Sequence, residues 1–99
     1  MSLQLIRAIV SPEHSSAVEE AINDVFEELA QTQPSGLRYA STRADDGVTY
    51  LILLDIEDPT HNPLPNLDAF QRFQAQLPQC LAGPPAIDQL TVIGNYRVF

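Results

Sequence analysis

The chain has 99 residues, 44% of them hydrophobic and 18% charged. That suits one packed domain spanning residues 1–99 and excludes two domains or wholesale disorder. Thirteen acidic residues face five basic ones, giving a formal net charge of -8. The basic residues are Arg7, Arg38, Arg43, Arg72 and Arg97, too scattered for the basic patch that a nucleic acid or an anionic membrane needs. One cysteine excludes an internal disulfide and every multi-Cys zinc motif. No apolar run approaches the ~18 residues of a membrane span. The segment from Met1 to Ile6 has no charged leader. A soluble, acidic, cytoplasmic protein is expected.

The segment from Leu3 to Val10 is aliphatic and β-branched and reads as a first strand. Ser11 suits a helix N-cap, Pro12 the first helical position and Glu13 the positive helix end. Ser16-Ala17-Val18-Glu19 offers an alternative start as a capping box. Val18, Ala21, Ile22, Val25, Phe26 and Leu29 then recur at three–four spacing, one apolar stripe on a helix of about four to five turns. Glu19, Glu20, Asn23, Asp24, Glu27 and Glu28 lie off that stripe and predict a solvated face. Pro34-Ser35-Gly36 ends the helix.

Leu37 to Ala44 and Val48 to Ile56 are extended runs around Asp45-Asp46-Gly47. Asp-Gly readily takes the positive φ of a type I′ turn, so the runs predict an antiparallel hairpin. Asp58 to Pro65 holds three prolines and reads as a loop. Asn66 is suited to cap a second helix that carries Leu67, Phe70, Phe73 and Leu77 on one face, with Pro78 ending or kinking it. After Gly83-Pro84-Pro85, Ile87 to Phe99 regains strand character, with Gly94 a bulge or bend. Strand, helix, strand, strand, helix, strand is the α+β, ferredoxin-like βαββαβ order: a four-stranded antiparallel sheet with two helices on one face.

A sheet with one wet face alternates apolar and polar residues. Here Val48, Tyr50, Ile52, Leu54 and Ile56 point one way, and Leu51 and Leu53 the other. The first strand likewise divides Leu3, Leu5 and Ile9 from Ile6, Ala8 and Val10. The last divides Leu90, Val92, Tyr96 and Val98 from Ile87, Ile93 and Phe99. Two helices cover one face only, so the second face predicts a partner, most simply an identical sheet across a two-fold axis. The expected product is a homodimer through the sheet face.

The runs Gly36-Leu37-Arg38-Tyr39, Thr49-Tyr50-Leu51-Ile52-Leu53-Leu54-Asp55-Ile56-Glu57-Asp58, Leu67-Asp68-Ala69-Phe70 and Leu90-Thr91-Val92-Ile93-Gly94-Asn95-Tyr96 resemble the antibiotic biosynthesis monooxygenase-like proteins of the dimeric α+β barrel superfamily. The resemblance covers nearly the whole chain in layout. It implies a shared barrel of two sheets and a pocket in each subunit between sheet and helices. It also implies, for some relatives, oxidation of quinol or polyaromatic substrates by oxygen without metal or flavin, and for others haem degradation. Where many of those enzymes carry His four residues after the Ala opening the second helix, this chain has Phe73 after Ala69. The tryptophan of the haem-degrading branch has no counterpart, since the chain has none.

A cofactor-free oxygenase needs a base, hydrogen-bond donors for a phenolate or enolate, and a dry cavity. His61, in the Pro-rich loop, with Tyr50 and Asn95 form the candidate catalytic set. Tyr39, Phe70, Phe73 and Arg7 are candidate pocket residues, and Arg38 and Tyr96 further donors. Each also has a plain reading: Tyr50 as a core-edge tyrosine with its hydroxyl at the rim, Phe70 and Phe73 as core, Arg7 as half of a dimer salt bridge with Asp55 a possible partner. Cys80 reads as a small apolar filler. No cofactor and no metal site is expected, because His14 and His61 form no H-x-x-x-H or H-x-H pattern. Two functions follow: a cofactor-independent monooxygenase-like protein acting on a small aromatic or polyketide-like compound, or a non-catalytic dimeric barrel that binds a small apolar ligand or a partner chain. What fills the space between sheet and helices separates them.

Overall fold

A third strand that is apolar on both sides sets the architecture. The computed structural model describes residues 2–58 and 60–97. Expectations falling on Met1, Pro59, Val98 and Phe99 lie outside the described residues. Strand β1 (Ser2–Ile9) leads through a short 3-10 turn (Pro12–His14) into helix α1 (Ser15–Thr32). Strands β2 (Leu37–Arg43) and β3 (Thr49–Ile56) form the hairpin. A second 3-10 turn (Leu64–Asn66), helix α2 (Asp68–Cys80) and strand β4 (Ala86–Leu90) complete the chain. The sheet order is β2-β3-β1-β4, antiparallel throughout. This is the ferredoxin-like arrangement expected from the element order.

Register fixes the two faces. Tyr50, Ile52 and Leu54 stand opposite Ala8, Ile6 and Gln4 on β1 and opposite Arg43, Ser41 and Tyr39 on β2. These rows meet the helices. Val18 and Val25 of α1, Ala69, Phe73 and Cys80 of α2, and Val10 and Tyr50 form one buried cluster. Leu54, Ile56, Leu64 and Leu67 form a second. The other face carries Arg38, Ala40 and Thr42 of β2, Leu51, Leu53 and Asp55 of β3, Leu3, Leu5, Arg7 and Ile9 of β1, and Ala86, Asp88 and Leu90 of β4. Leu5, Leu51 and Leu53 are half-buried there, and Ile9 and Leu90 are exposed.

Several local expectations need correction. The hairpin exists but its turn is not type I′, which requires two central residues with positive φ. Only Gly47 has positive φ in the loop, at 78°. The Gly47 N–H bonds Ala44 O, and Asp46 Oδ1 accepts from the Val48 and Thr49 N–H groups. The acidic side chain therefore organises a longer loop by bonding its own downstream backbone. Helix α1 ends not on a glycine but on Gln33, at φ 45°, whose N–H bonds Leu29 O at 2.8 Å.

Asn66 does not cap α2, because it is spent in the preceding 3-10 turn; the N-cap position is Leu67, with no side-chain cap of its own. Glu28 of α1 supplies the acceptor, bonding the Ala69 N–H at 2.9 Å and the Asp68 N–H at 3.3 Å. The last strand stops at Leu90, far short of Phe99. Residues 91–95 are unpaired with any strand, and Ile93 and Tyr96 are 95% and 79% exposed.

Candidate functional site

Tyr50 and Arg43 are directly opposed across the β2–β3 hairpin, both on the helix side. Glu19 comes to them from the first turns of α1. The Tyr50 hydroxyl donates to Glu19 Oε2 at 2.7 Å, and the Arg43 guanidinium reaches the same oxygen. The Tyr50 ring is buried; Glu19 and Arg43 stand at the rim. Donation from Tyr50, then from Arg43, holds the Glu19 carboxyl below its ordinary pKa. Burial, then the hydrogen bond to the Glu19 carboxylate, pushes Tyr50 above the ordinary phenol value. At neutral pH the group is thus a neutral phenol, a carboxylate and a guanidinium. They wall an open cleft of about 170 Å³ with Ile22, Asn23, Ser41 and Thr42. Ser41 Oγ is buried there without a hydrogen-bond partner.

The charge pattern of α1 predicts a solvated face for Glu19 and Glu28 alike. Both are engaged instead, whereas Glu20, Asp24 and Glu27 are exposed. The available signal was helical spacing: 19, 22 and 26 share a face, so Glu19 extends the edge of the stripe through Ile22 and Phe26. Ser41 carried no signal.

The other candidates do not join this cleft. Phe73 is buried in the main cluster with Tyr50, and Phe70, Tyr39 and Leu77 pack against it. Tyr39 stacks on Phe26 at 5.1 Å between ring centroids. His61 is exposed in its loop, where Nδ1 lies 2.9 Å from Asp58 Oδ2 and from Thr60 Oγ1. Asn95 is exposed beyond β4. Neither lines the cleft at Tyr50. Arg7 is exposed on the outer sheet face, opposite Leu51 and Ala86, and makes no ion pair among the described residues.

Two further concavities matter. One, about 410 Å³, is lined by Gly36, Leu37, Arg38, Asp55 and Glu57 at the hairpin's open end. Asp55 is only 5% exposed, and its Oδ1 makes no hydrogen bond. The second, about 440 Å³, is an apolar groove at the C-terminal end of α2, lined by Leu77, Pro78, Leu81, Pro84 and Pro85 among others. Among the described residues no group of three or more His, Cys, Asp or Glu side chains is placed to hold a metal ion. No helix of the described residues is long and apolar enough to cross a membrane.

Among solved structures the chain is similar to one named "Putative antibiotic biosynthesis monooxygenase from Nitrosomonas europaea", with TM-score 0.78 and 14% identity over 95% of this chain and 100% of that one. The fold is that of the antibiotic biosynthesis monooxygenase-like proteins. The chain is also similar to Rv0793 from Mycobacterium tuberculosis, with TM-score 0.75 and 15% identity over 95% of this chain and 96% of that one. A third similar structure is named as an antibiotic biosynthesis monooxygenase, with TM-score 0.76 and 12% identity over 95% and 100%. No family model and no curated protein matches the chain. The TM-scores establish the fold, and identities this low leave its chemistry to the residues present.

Proposed function

We propose that this chain works as a homodimeric α+β barrel whose role is binding, of a small apolar ligand or a partner chain, rather than oxygenation. The packing between sheet and helices carries the reading. An oxygenase of this layout needs a dry cavity there, whereas Tyr50 and Phe73 pack in the core with Tyr39 and Phe70 against them, and the concavities left between α1 and the sheet, about 170 and 350 Å³, are open to solvent at the rim. The apolar groove at the end of α2 suits a small apolar ligand better, being within the usual ligand-pocket size. Dimerisation through the outer sheet face is supported by Leu5, Leu51, Leu53, Ile9 and Leu90 standing on one surface. A cytoplasmic location fits the single, buried thiol of Cys80.

One observation favours a catalytic second reading: the unpartnered Ser41 Oγ beside Arg43 and Glu19. In that reading Arg43 would hold the oxygen of a small phenolic ligand, with Ser41 Oγ free to hydrogen-bond it, while Glu19 stays engaged by Tyr50 and Arg43. The cleft admits about one aromatic ring, so hydroquinones would be preferred over polyaromatics.

Sedimentation at micromolar concentration tests the dimer, with a mass of twice the chain expected and a monomer contradicting it. Incubation of the same sample with hydroquinone and anthrone panels under oxygen separates the readings. Absence of turnover together with binding of an apolar dye supports the binding role, and turnover abolished by Arg43→Ala transfers the function to the cleft.

A further inference from the structure

Among the described residues the outer sheet face holds one buried carboxylate oxygen without a hydrogen bond and two arginines, Arg7 and Arg38, without an ion pair. Asp55 is buried with Oδ1 unbonded, a costly state for a carboxylate. Arg7 is exposed amid Leu5, Ile9, Leu51 and Ala86. The two share this face but not a register row: Asp55 is paired with Leu3, four residues along β1 from Arg7. Strand geometry puts their Cα atoms about 14 Å apart, beyond any ion pair within one chain. Arg38, opposite Asp55 on β2, is exposed and makes no ion pair among the described residues.

Their arrangement has a symmetry. Leu5 and Leu53 are directly opposed at the middle of the face. Asp55 lies two residues from Leu53 along β3, and Arg7 two residues from Leu5 along β1, so the two flank that centre at opposite ends. We propose that in the dimer each protomer's Asp55 carboxylate receives the Arg7 guanidinium of the second copy. A two-fold axis lying between the sheets over Leu5 and Leu53 exchanges the two positions. With strands about 4.8 Å apart and a rise of about 3.4 Å per residue, that axis makes the strands of the two sheets cross at about 40°. This is near the roughly 30° at which stacked sheets align. The contact is isologous, so it forms twice, and each guanidinium meets the Asp55 carboxylate where it opens on the concavity lined by Leu37, Arg38 and Glu57. The inference rests on the dimer reading and names the contact that sets its register.

Charge reversal tests it. Arg7→Asp sets Asp against Asp55 across the axis, and Asp55→Arg sets Arg against Arg7. Each variant alone is expected to raise the dimer dissociation constant at least about tenfold. An equimolar mixture of the two restores opposite charges at both contacts, and is expected to form a heterodimer within about threefold of the wild-type constant. Reversals that leave the wild-type constant unchanged overturn the proposal and leave the Asp55 pocket to a soluble cation. If a reversal unfolds the chain by circular dichroism, Arg7→Gln and Asp55→Asn are used in a double-mutant cycle. Non-additive losses support the pairing and additive losses overturn it. A wild-type monomer would instead remove the dimer reading itself, an outcome distinct from a dimer indifferent to these charges.

Discussion

Glu28 on α1 and Ala69 on α2 are 41 residues apart in sequence, yet the Glu28 carboxylate caps the second helix by accepting the Ala69 N–H at 2.9 Å. The first N–H groups of a helix have no partner within it, and here a neighbouring helix supplies the oxygen that a local Ser or Asp supplies elsewhere. The bond ties α1 to α2 and fixes how the helices lie on the sheet.

Removing that acceptor is therefore expected to act like the loss of an N-cap. Glu28→Ala should cost about 1 kcal/mol of stability, and Glu28→Gln, which keeps an acceptor oxygen, clearly less. Urea unfolding at fixed protein concentration measures both, since concentration would shift the midpoint of the proposed dimer. An unchanged midpoint for Glu28→Ala would assign the capping to water.

The Tyr50–Glu19–Arg43 group predicts the pH dependence at both extremes. Glu19 has a lowered pKa, from an ordinary 4.5, so its contribution is present above that value and fades as pH falls through the folded value. Tyr50 has a raised pKa, from an ordinary 10.0, so its contribution is present below that value and fades as pH rises through the folded one. Glu19→Gln should flatten the acid limb of a stability–pH curve, and Tyr50→Phe the alkaline limb. A wild-type alkaline limb in Tyr50→Phe would contradict the assignment.

Phe73 stands 4% exposed in the main core cluster. Truncation to Ala should cost about 3–5 kcal/mol, the usual result of deleting a buried ring that neighbours only partly replace. Thermal and urea unfolding report it directly. A loss below about 1 kcal/mol would mean that the space beneath α2 collapses readily, or already holds solvent, and would reopen the pocket reading.

Leu53, at the middle of the outer face, is the residue whose replacement by Asp should dissociate or aggregate the proposed dimer while leaving the helix-side core untouched. Sedimentation and circular dichroism together distinguish dissociation from unfolding. An unchanged dimer would move the interface elsewhere.

Much of the fold was legible because it depends on periodicity. The nearly continuous apolar run in Thr49–Ile56 and the three–four stripe from Val18 to Leu29 are local properties, and both elements form where those patterns lie. Tyr50's hydroxyl meeting a partner at the rim was legible too, since a buried phenol seeks one. The partner's identity was not. Glu19 was read with Glu20 and Glu27 as solvent-facing because a charge run carries no information about what packs across from its edge. The ending at Leu90 was hidden for a similar reason: Thr91–Tyr96 has strand composition, but a strand needs a neighbour to bond, and among the described residues no strand pairs with it.

The sequence by itself determined the element order, the hairpin and the apolar character of both sheet faces, because each follows from side-chain chemistry repeated over a few neighbouring residues. Tertiary structure decided which acidic residues do structural service, that Tyr50 and Phe73 share one core cluster, and that Arg7 and Asp55 are too distant to pair within one chain. Those outcomes depend on strand register and on contacts spanning 31 or 41 residues, as at Tyr50–Glu19 and Ala69–Glu28. Local composition carries no record of such distances; the packing of helices against a sheet in one register creates them.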